Sequence, residues 1–246
     1  MGETISIKTK TGSGYTGYLA LPPAASENSS AKSSAADSSK ISHSGIILIQ
    51  EIFGVNSHIK QVADLYASMG YVVLAPDVFW RASPGVELAY AGDDMKKGME
   101  LAKQSAPQQV IADFADAITT LKAQPQFAGK IAAVGYCLGG SYSYQLATRD
   151  MVDCAVGYYG GQIAASLEQA QNLHCPLMLH FGAKDTHIPL SDVDKIRAAL
   201  KDKGHVEIYT YDADHGFNCD QRASYDRQSA MLAFGRSSVL LNQVLR

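Results

Sequence analysis

Two rhythms of apolar residues alternate along this chain. Ile46 to Ile49, Tyr71 to Ala75, Ile131 to Val134, Cys154 to Gly160 and Pro176 to Gly182 are short, nearly continuous apolar runs, the pattern of strands buried on both faces. Between them the spacing changes to three and four. Ile59, Val62, Leu65, Tyr66 and Met69 predict a helix with Asn56 or Ser57 as its cap and Gly70 as its stop. Helical patterns resume at Met95, from Pro107 to Lys122, from Gly140 to Thr148, from a Ser191 cap to Lys201, and from about Tyr225 to Leu245. His205 to Tyr211 reads as a last strand. Ile5 to Lys8 and Tyr15 to Ala20 flank Gly12-Ser13-Gly14 and predict an antiparallel hairpin at the edge of a larger sheet. Strand, helix and strand in succession make βαβ units. The expectation is one α/β domain over residues 1–246, with a mostly parallel central sheet and helices on both faces.

Two stretches break the rhythm. Phe79 to Gly98 mixes polar and aromatic residues with glycines and Pro84, and is expected to run over the carboxyl edge of the sheet. Residues 23–44 are Ser/Ala-rich with almost no large apolar side chain, so a flexible insertion within the domain is expected there.

Composition narrows the function classes. With 246 residues, 46% hydrophobic, 18% charged and a formal net charge of -3, the chain is an ordinary globular protein. It has no basic block to track phosphates, so nucleic acid is not an expected partner. The apolar runs are too short to span a membrane, and Met1 to Lys10 lacks the apolar core of a signal peptide. Cys137, Cys154, Cys175 and Cys219 are widely spaced without a C-x-x-C pair, which points to reduced thiols and a cytoplasmic location rather than to a zinc or disulfide framework. A monomer acting on a small molecule is the expectation.

The chemistry gathers at the ends of strands. Gly135-Tyr136-Cys137-Leu138-Gly139 is G-x-C-x-G, a strand-to-helix elbow with cysteine at its apex, where glycines let strand and helix pass closely. A thiol there meets the positive end of a helix dipole. The plainer alternative is a buried thiol in a glycine-rich turn. In an open parallel sheet, reacting groups collect beyond the carboxyl ends of the strands, and Glu51, Cys137, Asp185 and His215 all fall there. Nucleophile, acid, histidine is the triad order of α/β-hydrolases. In that arrangement His215 takes the thiol proton, Asp185 orients the imidazole, and the N–H groups of Leu138 and Ile52 receive the oxyanion. The bland alternatives are a buried structural Glu51, a plain turn at Asp185, His187 as the base, and a polar turn or cation site around Asp212, Asp214 and Asp220.

These residues resemble the dienelactone hydrolases (carboxymethylenebutenolidases). The resemblance rests on Gln50-Glu51-Ile52-Phe53-Gly54-Val55-Asn56, Ala75-Pro76-Asp77 with Arg81, Gly135 to Gly140, Ala155 to Gly160, Asp185 and His215-Gly216-Phe217, and covers about Ile46 to the carboxyl terminus. It implies a Cys137, Asp185, His215 triad, with Glu51 helping to activate the thiol. It implies hydrolysis of 4-carboxymethylenebut-2-en-4-olide to maleylacetate without cofactor or metal. It further implies substrate contacts at Arg81, Tyr159, Phe53 and Phe217. One position departs: the family's second carboxylate-binding arginine falls at Cys219, and a thiol cannot supply a guanidinium's bidentate grip. Arg222, three residues on, is the candidate replacement.

Overall fold

The computed structural model describes residues 2–23 and 43–246, so the insertion expected at 23–44 lies, for residues 24–42, outside the described residues. The hairpin is present as β1 (Glu3–Lys8) and β2 (Gly14–Ala20). Then follow β3 (His43–Ile49), α1 (Ser57–Ser68), β4 (Val72–Pro76), α2 (Asp93–Gln104), α3 (Pro107–Lys122), β5 (Phe127–Tyr136), α4 (Leu138–Ala147), β6 (Cys154–Tyr158), β7 (Leu177–Gly182), α5 (Leu190–Leu200), β8 (Val206–Tyr211) and α6 (Arg227–Val244). A 3-10 turn at Leu167–Asn172, for which the sequence pattern gave no signal, links β6 to β7. All eight strands form one sheet in the order β1-β2-β4-β3-β5-β6-β7-β8. β1, β2 and β4 pair antiparallel, and the remaining neighbours are parallel.

Helices cover both faces. Tyr66 of α1 meets Phe234 of α6 at 5.8 Å between ring centroids on one face, and Phe114 of α3 meets Tyr142 of α4 at 5.5 Å on the other. The apolar runs read from sequence fill the space between: Ile46 to Ile49, Val72 to Ala75 and Ala132 to Val134 are inaccessible to solvent. Each such aliphatic side chain contributes about 1.5–3 kcal/mol on burial, enough to hold local strain elsewhere. Among the described residues no helix is long and apolar enough to cross a membrane.

Asn56 caps α1 as expected, its side-chain oxygen accepting from the Ile59 N–H at 3.3 Å. Ser191 does not cap α5. That helix starts two residues earlier than a Ser191 cap would set it, with Pro189 as its cap, whose φ of -65° already suits entry and whose carbonyl accepts from the Asp192 N–H at 2.8 Å. Asp226 caps α6 through the Ser229 N–H at 2.8 Å.

Strand register decides where the chemistry lands. Ile49 stands opposite Gly135 in the parallel β3–β5 pair, and Gly135 and Tyr136 stand opposite Gly157 and Tyr158 in the β5–β6 pair. The chain therefore leaves β3 at Gln50-Glu51 beside the point where it leaves β5 at Cys137. At the opposite, amino-terminal edge, Ala20 pairs with Val73 and His43 with Phe127, so the strand ends flanking residues 24–42 lie away from the edge that carries Glu51 and Cys137.

Candidate active site

Cys137 occupies the cap position of α4 with φ +53°, a left-handed conformation that a non-glycine residue holds at a cost of about 1–3 kcal/mol. Its surroundings enforce it. A Cβ on Gly135 would lie 2.0 Å from the Gly139 carbonyl oxygen, one on Gly139 2.2 Å from the Ile49 oxygen, and one on Gly140 2.4 Å from the Tyr158 oxygen. Strand, turn and helix pass too closely for any side chain at these three places. The Cys137 N–H donates to the Tyr158 carbonyl at 3.0 Å, which pins the apex. The thiol is left half-buried at the start of a helix, where the dipole favours negative charge.

Asp185 follows β7 and is buried. Its Oδ1 accepts from the backbone N–H groups of His187 (2.8 Å) and Ile188 (3.0 Å), leaving Oδ2 to meet His215 Nδ1 at 2.7 Å. Burial alone raises the Asp185 carboxyl, but the bond and charge of His215 outweigh it and hold the group below its ordinary value. The imidazole responds in the opposite direction. Burial disfavours its charge, yet the hydrogen bonds of Asp185 and of the Cys137 thiol push it up to about 10. With Nδ1 taken by Asp185, Nε2 is the nitrogen left for the thiol. His187, the alternative base, lies across the ring of His215 at 5.3 Å, and its contact with Asp185 is through its main chain.

Cys137, His215, His187, Leu138 and Ile52 line one cavity of about 330 Å³, together with Phe53 and Arg222. Leu138 is the first residue of α4, so its N–H has no helical acceptor four residues back. Met95, Met99 and Ala102, one face of α2, supply an apolar wall. The sequence pattern located that helix but gave its face no role; the i, i+4, i+7 spacing of these three residues was the available signal.

Several expected contacts fall elsewhere. Arg81 does not line the cavity: its guanidinium is forked onto Asp113 (3.1 and 2.7 Å) and lies 4.2 Å over the Trp80 ring. A short excursion carries it toward α3, and the buried Asp113 carboxylate captures it there. Tyr159 and Phe217 are fully buried and pack behind the site, Tyr159 at 5.0 Å from the His215 ring and Phe217 at 5.4 Å from Tyr159. They support the imidazole from the rear. Only Phe53 of the aromatic set reaches the cavity wall.

Glu51 is completely buried, and its Oε1 accepts from Arg222 Nη1 at 3.0 Å. Its other oxygen has no partner among the described residues. Arg222 lies 5.8 Å from the Phe53 ring and 5.7 Å from that of Tyr90, so it puts a cation into the cavity where Cys219 cannot. Cys219 is buried, its thiol pushed up to about 12 by burial and the Glu51 charge. The carboxylates of the proposed cation turn have other partners: Asp212 pairs with Lys184 at 3.0 Å, Asp214 accepts from the His215 N–H, and Asp220 faces His58.

The family described as "Dienelactone hydrolase family" matches residues 32–245. A provisionally assigned carboxymethylenebutenolidase of Synechocystis is 33% identical over 82% of this chain and 86% of its own length. The carboxymethylenebutenolidase of Pseudomonas sp. strain P51 is 30% identical over 81% and 84%. The crystal structure of a provisionally assigned dienelactone hydrolase from Klebsiella pneumoniae superposes with a TM-score of 0.83 at 27% identity, covering 99% of this chain and 98% of that one. These likenesses and the sheet order identify an α/β-hydrolase fold.

Proposed function

The chain belongs to the dienelactone hydrolase family, and from that premise we propose that it is a cysteine-dependent hydrolase of small unsaturated lactones, opening 4-carboxymethylenebut-2-en-4-olide to maleylacetate through an acyl-thioester. The observation that carries this reading is the buried 2.7 Å bond between Asp185 and His215 Nδ1, in the same cavity as a thiol held on a left-handed elbow. His215 accepts the thiol proton and Asp185 stabilises the imidazolium. The thiolate adds to the lactone carbonyl, and the oxyanion is received by the N–H groups of Leu138 and Ile52. Collapse breaks the ring C–O bond, leaving a thioester and an enolate that takes the proton back from His215. A water activated by the same imidazole then cleaves the thioester, restoring the thiol and releasing the second carboxylate. Glu51 and Arg222 adjust the charge beside the thiol, and Arg222 moves from Glu51 to the substrate carboxylate when the cavity fills.

A second reading, a general carboxylesterase or thioesterase, is favoured by one observation. Both candidate guanidiniums are already paired, Arg81 with Asp113 and Arg222 with Glu51, while the α2 wall is apolar. The test follows loss of the conjugated-lactone absorbance with wild type, Cys137→Ala, Arg222→Ala and Arg81→Ala, with a neutral activated ester in parallel. The lactonase reading expects no turnover by Cys137→Ala, a KM raised at least tenfold by Arg222→Ala, and a KM within about twofold of wild type for Arg81→Ala. Turnover of neutral esters only, through Cys137, moves the assignment to the esterase.

A further inference from the structure

Behind the cavity, at the foot of the Glu51 carboxylate, three potential metal ligands converge from distant parts of the chain. Glu51 lies two residues beyond β3, His58 lies in the first turn of α1, and Cys219 follows β8 four residues after His215. One carboxylate oxygen, one imidazole nitrogen and the sulfur all lie within 4.8 Å of one another, and all three residues are buried. Two polar atoms of these residues are unsatisfied. Glu51 Oε2 and His58 Nε2 have no hydrogen-bond partner among the described residues, and buried acceptors left in that state are uncommon.

The other polar atom of each side chain has a neighbour of its own. His58 Nδ1 lies 3.4 Å from Asp220 Oδ1, so that carboxylate favours the tautomer protonated at Nδ1, and Nε2 is without a partner among the described residues. A carboxylate behind a ligating histidine is the usual means of fixing that tautomer. Arg222 holds Glu51 Oε1, and Oε2 is left without a partner among the described residues. A surface groove of about 250 Å³, lined by His58, Asn218 and Asp220, borders the cluster on the His58 side.

We propose that Glu51, His58 and Cys219 form a binding site for a single thiophilic divalent cation of the zinc type. The donor set of one oxygen, one nitrogen and one sulfur is within zinc's usual range, with a fourth position open to water. Ligand bonds of about 2.0–2.3 Å place the donors of a tetrahedron about 3.3–3.8 Å apart, so closing the site needs only side-chain adjustments of about an ångström. The Arg222 charge nearby opposes hard dications held by electrostatics alone and leaves the field to an ion that bonds well to sulfur. On binding, the Cys219 thiol gives its proton to solvent and no other bond changes. Sequence spacing could not reveal the set, because its members are brought together only by the fold.

The test uses the full chain as Cys137→Ala, which removes the other thiol of the neighbouring cavity. Titration with Co²⁺ is expected to produce a thiolate-to-cobalt charge-transfer band and tetrahedral d–d bands at one equivalent, abolished by one equivalent of Zn²⁺. His58→Gln and Cys219→Ala should each weaken binding at least a hundredfold, and Asp220→Asn by about tenfold. No charge-transfer band in Cys137→Ala, or a band that persists in Cys219→Ala, overturns the site. Should the Cys219 variant fail to fold, X-ray absorption on zinc-loaded Cys137→Ala decides, since a coordination shell without one sulfur and one imidazole refutes the assignment. Inhibition of turnover by zinc is a further consequence that rests on the catalytic reading of Glu51. Spectral binding without inhibition removes that reading and leaves the metal site standing.

Discussion

Asp185→Asn separates a catalytic dyad from a merely buried hydrogen bond. In the native site the carboxylate accepts from His215 Nδ1 at 2.7 Å, and the imidazole is held at about 10 instead of its ordinary 6.5. Returning it to 6.5 lowers its proton affinity by about 5 kcal/mol, at about 1.4 kcal/mol per pH unit. The Cys137 thiol supplies part of that support, so a loss of about 3–4 kcal/mol is expected, or about 10²–10³ in kcat/KM. The amide adds a second effect. It can donate to Nδ1 and turn the tautomer over, leaving an N–H where the thiol needs an acceptor. The assay pairs ester or lactone hydrolysis with the rate of iodoacetamide alkylation across pH 5 to 10, the latter reporting thiolate without substrate. Wild type should be alkylated faster than Asp185→Asn, whose imidazole has lost the partner that supports its taking the thiol proton. Equal alkylation profiles, or hydrolysis within about threefold of wild type, refute the reasoning.

Three further outcomes can be measured on the same protein. Gly139→Ala forces a Cβ to within 2.2 Å of the Ile49 oxygen, so it should cost about 2–3 kcal/mol in urea unfolding and depress turnover further by shifting the Leu138 N–H; Gly235→Ala, in open space on α6, should instead stabilise by about 0.5–1 kcal/mol. His180, buried and bonded to Tyr211 (2.8 Å) and Ser237 (2.9 Å), is pushed down to about 3 by burial and then by Arg236, so below about pH 6.5 the unfolded chain binds a proton that the folded one refuses. Stability should fall by about 1.4 kcal/mol per pH unit from this group between pH 6.5 and 5, and His180→Gln should flatten that limb; an unchanged slope shows that another group sets it.

What the sequence made legible follows from how local each signal is. Buried strands such as Ile46 to Ile49 and the elbow around Cys137 are written in consecutive residues, so their existence and the approach of Glu51, Cys137, Asp185 and His215 to one edge were readable from pattern and topology. Side-chain destinations were not. Arg81 stands where the family motif places a substrate-binding arginine, but its partner is decided by Asp113, more than thirty residues away on a helix whose buried face also holds Phe114 and Ala117. Phe217 lies two residues from His215 and Tyr159 directly follows β6, yet both face inward: Tyr159 leaves β6 at φ +39° and packs behind His215, with Phe217 against it. The convergence of Glu51, His58 and Cys219 is invisible for the same reason: no local periodicity connects them.

The entry and exit points of residues 24–42 offer a practical handle. Ala20 and His43 lie at the amino-terminal edge of the sheet, and the seven residues of β3 put about 20 Å of strand between His43 and the turn that carries Glu51. Loop closure costs only about 0.6 kcal/mol for each doubling of length. An affinity tag, a fluorescent reporter or a second domain spliced between Pro23 and His43 is therefore joined to the scaffold at the edge remote from the thiol. That makes this connection the natural port for immobilising or labelling the protein without passing a linker across the mouth of its cavity.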